Sequence, residues 1–238
     1  MRHNFHSIIA DHDSAVSTLT DVLNYVEVNN PDPKLRIVIL NNTIVALCAT
    51  IEEILRALFT EYLTVLEANF EDFRLLRMDL QRANLNCAVQ ELKKMNRSEE
   101  DLKAATLMVT GLSICMNGHV GYRLLKESLV YNRGNFRSCQ VTEISKNIGL
   151  PGLWQRVCDS PAIEDYTGEA NLATREMRLI TKWNELFDER DLVVHRVSQA
   201  SGWATNRIKE SITLCSMVVR RVAECLIEDA SELVNSKK

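Results

Sequence analysis

From Asp13 to Val28 the apolar residues Val16, Leu19, Val22, Leu23 and Val26 recur every three or four positions, the repeat of one face of an α-helix. The spacing predicts a helix over 13–28. Asn29-Asn30-Pro31-Asp32-Pro33 ends it, because two prolines flanked by Asn and Asp favour a turn. A long helix is expected from Lys34 to Ala68, and its Ile37–Ala49 stretch is apolar nearly all round, as in a helix buried on several sides. Phe70–Met95 reads as one amphipathic segment. Ser98, followed by Glu99, Glu100 and Asp101, has the form of an N-cap and an acidic first turn. The helix it opens heads towards Tyr131, with an interruption at Asn117-Gly118-His119-Val120-Gly121. Residues 132–168 are the least regular, punctuated by Gly134, Pro151-Gly152, Pro161 and Gly168, with room for a short helix such as Thr142–Asn147. Glu169–Asp188 is helical again. Ser201 is placed as the cap of a last helix, Gly202–Val234, striped by Ile208, Ile212, Cys215, Val219, Val222 and Leu226. The expectation is an all-α antiparallel bundle in one domain, 1–238, with helix 13–28 accessory and 132–168 inserted.

Composition agrees with helix: 8 Gly and 4 Pro in 238 residues, with 6% aromatics. A formal net charge of -4 excludes a chain that binds nucleic acid through its overall charge; RNA contact would need a local basic patch. No apolar run is read as reaching the roughly 18–20 residues that span a bilayer, and Met1-Arg2-His3-Asn4-Phe5-His6 lacks the apolar core of a secretion signal. A cytoplasmic protein with no membrane contact is expected. The 7 cysteines form no Cys-x-x-Cys pair and read as reduced, mostly buried thiols. His3, His6 and His12 fall in an N-terminal arm of the kind often disordered. No metal site and no cofactor are expected.

The candidate chemistry lies in Leu186-Phe187-Asp188-Glu189-Arg190-Asp191-Leu192-Val193-Val194-His195. Histidine moves protons near neutral pH, and arginine stays charged and grips phosphate with paired hydrogen bonds. That combination suits RNA cleavage without a metal. A plainer account is open: Arg190 among three carboxylates is a surface ion pair worth about 0–1 kcal/mol, and His195 a half-buried helix histidine. Residues five apart on a helix diverge by about 140°. Either Arg190 sits in a loop or first turn, or two copies of the segment meet across a two-fold axis.

The segment resembles the Arg-x4-6-His signature of HEPN-domain proteins, a helical family rich in RNases of bacterial defence and toxin–antitoxin systems. The resemblance extends to Ala49-Thr50-Ile51-Glu52-Glu53-Ile54-Leu55, to Asn135-Phe136 through Gly149-Leu150, and to the closing amphipathic helix. The order is most similar to the RiboL-PSP-HEPN and MAE-type branches. It implies an endoribonuclease acting as a homodimer, with Arg190 and His195 catalytic and Asp191 orienting, and with an antitoxin or defence-system protein as a further partner. RNA would be cut by 2'-hydroxyl attack, leaving 2',3'-cyclic phosphate and 5'-hydroxyl ends. Asp191 stands where Asn is commonest in the family, and Arg196 where a small residue often follows. A catalytically idle module that dimerises and binds RNA or protein is the alternative.

Glu52 and Glu53 sit in an apolar helix, where a carboxylate needs a partner; Arg56 supplies one at i,i+4 or i,i+3. The other reading has one of them orienting the Arg190–His195 cleft. Lys182, Arg196 and Arg207 are candidate RNA contacts beside the motif, with further positive charge at Arg133, Arg137, Arg175 and Arg178, and with Tyr131 or Trp203 available to stack on a base.

Overall fold

A computed structural model describes residues 2–95, 98–130, 135–195 and 203–236. Among these all regular structure is helical. The first helix, α1 (Arg2–Asn29), starts well before the expected 13. Phe5, Leu23 and Val26 are buried in the core and His12 is fully enclosed, so α1 is neither accessory nor a loose arm. Its apolar face is longer than the Val/Leu repeat alone revealed. Asn30 (φ 40) turns the chain. Asp32 then caps α2 (Pro33–Asn69), its Oδ1 accepting from the Lys34 amide at 2.9 Å, with Pro33 at the first position, where a missing N–H costs nothing.

Helix α2 is the centre of the molecule. Ile44, Leu47, Ile51, Leu58, Phe59, Tyr62 and Leu63 are fully buried, packed against α1, the last helix α10 (Thr205–Asn235) and the motif helix α9 (Leu172–His195). By length and composition α2 passes the test for a membrane span, contrary to the sequence expectation. The same apolar all-round surface is what a helix surrounded by several others requires.

The expected amphipathic run 70–95 is divided. A 3-10 turn, Phe73–Leu75, is capped by Asp72, and α3 spans Met78–Lys94. Ser98 caps α4 (Glu99–Asn117) as anticipated, accepting from the Asp101 amide at 3.1 Å. The helix ends at the expected interruption, 117–121. Gly118 stops it in the left-handed conformation (φ 67), which side chains resist, and α5 (Lys126–Val130) follows separately.

Residues 135–168 of the expected insertion pack into the common core. They form α6 (Ser138–Asn147), α7 (Leu153–Cys158) and α8 (Pro161–Thr167). Phe136, Ile148, Leu150, Val157, Cys158 and Ile163 are fully buried in the common core. The prolines and glycines mark the joints between short helices, and the one expected at Thr142–Asn147 lies within α6. Ser201, the expected cap of α10, lies outside the described residues, and Ala204 holds the cap position without a side-chain bond. Cys48, Cys115, Cys158, Cys215 and Cys225 are buried free thiols, Cys87 is half-buried and Cys139 exposed.

Candidate active site at the end of the motif helix

Three hydrogen bonds between two residue pairs fix the segment that faces the motif. Trp183 Nε1 donates to the Phe136 carbonyl at 2.8 Å, and Asn184 Oδ1 accepts from the Ser138 amide at 3.0 Å, while Asn184 Nδ2 donates to Ser138 Oγ at 2.9 Å. Asn184 thereby caps α6 from a neighbouring helix, serving an amide that α6 itself leaves bare. Residues 136 and 138 are held against α9. The side chains of Asn135 and Arg137, on either side of Phe136, reach the next turns of α9.

There they meet the motif. Arg190 Nη1 donates to Asn135 Oδ1 at 2.6 Å and to Asp191 Oδ1 at 3.0 Å. Asn135 Nδ2 donates to Asp191 Oδ1 at 3.0 Å. Arg137 Nη2 donates to Asp191 Oδ2 at 2.8 Å, and its Nη1 to Asp188 at 2.5 Å. Two arginines, two aspartates and one amide thus form one connected cluster: Arg190, Asn135 and Asp191 bond to one another, Arg137 bridges Asp191 and Asp188, and Asp191 is the hub. Burial by itself raises the Asp191 carboxyl, but hydrogen bonds from Arg137, Arg190 and Asn135 outweigh it and hold the group below the usual carboxylate range. Burial lowers Arg137 and the two aspartates more than restore it, leaving its charge reinforced.

The cluster is not fully satisfied. Arg190 Nε is buried with no hydrogen-bond partner, and so is Oε1 of Glu52 on α2. Glu52 pairs with Arg56 at 3.5 Å through its other oxygen, the local ion pair its spacing predicts. Cys48, one turn earlier on α2, feels the charges of Arg190, Glu52, Asp191 and Arg137 together, and burial pushes its thiol up to about 12. The α2 carboxylate and the motif arginine therefore belong to one neighbourhood. Glu53 points to solvent and takes no part.

His195 is the last residue of α9 and is exposed. Arg190 lies within the helix, so the placement in a loop or first turn is overturned, and the two side chains diverge by about 140° with about 7.5 Å of rise between them. Helix geometry therefore sets the two on different sides of α9.

The remaining sequence candidates scatter. Lys182 stacks over the Tyr166 ring at 4.8 Å, two turns back along α9. Arg207 pairs with Glu185 at 3.2 Å and covers Trp203, its guanidinium 4.2 Å from the ring centroid. Trp203 is buried and offers no open face to a base. Arg175 is buried and donates to the carbonyls of Cys158, Glu169 and Ala170, so it ties α7 and the α8–α9 joint rather than lining a groove. Arg178 pairs with Glu169. Tyr131, Arg133 and Arg196 lie outside the described residues. Sequence reasoning gave Arg137 only as scattered positive charge and Asn135 no role. The signal was their position two residues apart in an extended segment, but only the contact with α9 gives it meaning.

No protein-family model, curated protein or solved structure matches this chain.

Proposed function

We propose that the chain is a HEPN-like, metal-independent endoribonuclease whose active site is completed by a second copy. The observation that carries this is the arginine cluster at the end of α9. Arg190 is fixed by Asn135 and Asp191, while His195 projects to solvent just beyond it. A two-fold axis near the end of α9 places both copies of each residue around one cleft.

In that cleft His195 of one copy takes the proton from an RNA 2'-hydroxyl. The 2'-oxygen bonds to phosphorus, the bond from phosphorus to the 5'-oxygen breaks, and His195 of the other copy protonates the leaving oxygen. The products are a 2',3'-cyclic phosphate and a 5'-hydroxyl. Arg190 offsets the charge that builds on the phosphoryl oxygens, with Asp191 and Asn135 setting its direction. In this reading the protein works in the cytoplasm within a defence or toxin–antitoxin system, alongside a restraining partner protein.

A second reading rests on a specific observation. Arg190 is already engaged by Asp191, and Arg137 by two aspartates, so their charges are largely answered within the chain. An idle module that dimerises and binds RNA or protein has no need of a free arginine. The deciding experiment is cleavage of total RNA in EDTA by wild type, Arg190→Ala and His195→Ala, with product ends identified. Cyclic phosphate ends made by wild type alone support the nuclease. Equal cleavage by all three assigns the activity elsewhere, and none by any supports the idle module.

A further inference from the structure

We infer that the cleft between α3 and α4 binds a small, uncharged, mostly apolar molecule that carries one carbonyl oxygen. The cleft has a volume of about 360 Å³, with Ala88 of α3 on one side and Ala104, Met108, Gly111 and Leu112 of α4 on the other. Sites for small ligands fall in the range of roughly 300–1,000 Å³ and are mostly apolar, with a few placed polar groups.

The space follows from the residue types. Protein interiors are ordinarily close-packed, but Ala88, Ala104 and Gly111 bring almost no side chain to the helix–helix contact. A Cβ built on Gly111 would meet nothing within 4 Å. Met108 is unbranched and polarisable, and adapts its shape to an apolar guest.

Asn84 supplies the polar group. It is only 1% exposed and belongs to the lining of the cleft. Its Oδ1 accepts from the Leu125 amide at 2.8 Å. A backbone N–H can only donate, so this bond fixes which way the carboxamide faces and leaves Nδ2 as the free end. Among the described residues Nδ2 has no hydrogen-bond partner. An enclosed donor left unanswered is costly, and the carbonyl oxygen of a guest answers it.

Charge narrows the class. Of the described lining residues Arg123 alone is charged, and its side chain is 85% exposed and 3.9 Å from Glu67. A carboxylate buried beside a neutral amide would lack a counter-charge, so the guest is neutral. Neither α3 nor α4 packs on α9 among the described residues, and the inference does not rest on the nuclease reading.

The test titrates the full chain into prodan, a neutral naphthyl ketone whose emission moves to the blue in apolar surroundings. Saturable binding with a blue shift is expected. Gly111→Leu fills the open space, and should weaken binding by about ten-fold, the scale of an overpacked site, with Tm no lower than wild type. The analogue with propyl in place of propionyl is more apolar but leaves Nδ2 unanswered, and should compete about five-fold less well than prodan. That comparison uses the wild-type chain and holds whether or not Gly111→Leu folds. No saturable binding, equal binding by a folded Gly111→Leu, or an analogue that competes as well as prodan would each overturn the inference.

Discussion

Two arginine–aspartate networks in this protein use the same chemistry to opposite ends. In the core, Asp229 is fully enclosed and completely served: Tyr62 donates to it at 2.7 Å, Arg77 grips both oxygens at 3.0 and 2.8 Å, and Arg156 stands at 3.5 Å. Arg77 also donates to the Gly149 carbonyl at 2.6 Å, so α2, α3, the α6–α7 joint and α10 are tied at one point. At the end of α9, Asp191 has as many donors but is a third exposed, and the cluster leaves Arg190 Nε and Glu52 Oε1 unanswered. A buried charge with every partner in place stabilises one arrangement. A half-open cluster keeps the exposed edges of Asp191, Arg190 and Arg137 available to meet something else, while its two unanswered atoms stay buried.

The comparison can be broken most directly at Asp229. Asp229→Ala leaves Arg77 and Tyr62 facing a buried gap, and a loss of about 3–5 kcal/mol in urea unfolding is expected, the usual result of removing one side of a buried ion pair. A loss under about 1 kcal/mol would mean the core network is no tighter than a surface pair.

Asn135→Ala sharpens the other side. Removing the 2.6 Å acceptor of Arg190 should cost only about 1 kcal/mol of stability. On the nuclease proposal, cleavage of RNA should fall by about 100-fold, because a misdirected guanidinium would no longer meet the phosphate. Parallel thermal melts and cleavage assays separate the two effects, and a stability loss matching that of Asp229→Ala would erase the distinction between the networks.

Asp191 carries a pH signature. Its carboxyl lies below the ordinary range in the fold, so its contribution is present above about pH 4 and disappears as the pH falls through the depressed folded value. In Asp191→Asn the acid limb of Tm against pH should flatten, by less than about 1 kcal/mol at this exposure.

The smallest expected effect is at His12. It is enclosed between α1 and α10, with Nε2 3.3 Å from Ser216 Oγ and Nδ1 without a hydrogen-bond partner. Burial lowers its pKa, with Asp13 opposing and Arg220 assisting. The fold holds the ring neutral while the unfolded chain takes a proton below about pH 6.5. Stability therefore falls as the pH drops from 7 towards 5, and His12→Gln should reduce that slope in thermal melts.

How far these features could be read beforehand differs residue by residue. The Ser98 cap, the break at Asn29–Pro33 and the buried character of α2 follow from local rules, and the structure has all three. The motif was visible as residue types, yet its neighbours were not. Asn135 and Arg137 stand more than fifty positions before Arg190 and Asp191, and no local pattern joins them. Trp203 looked available for stacking because exposure is a property of packing, and Arg207 covers it. The 132–168 segment looked like an insertion because Gly and Pro interrupt it, but such residues also punctuate short helices whose apolar sides fill a core.

By itself the sequence determined that the chain is helical, where most helices break, and which residue types sit together near its last quarter. Those depend on backbone preferences and on a repeat of three or four, both local. The tertiary structure alone decided that α1 and 135–168 belong to the core, that Asp229 is enclosed and Asp191 open, and that Arg190 is half-buried while His195 is exposed. Burial and pairing are set by what packs opposite, and what packs opposite comes from distant parts of the chain.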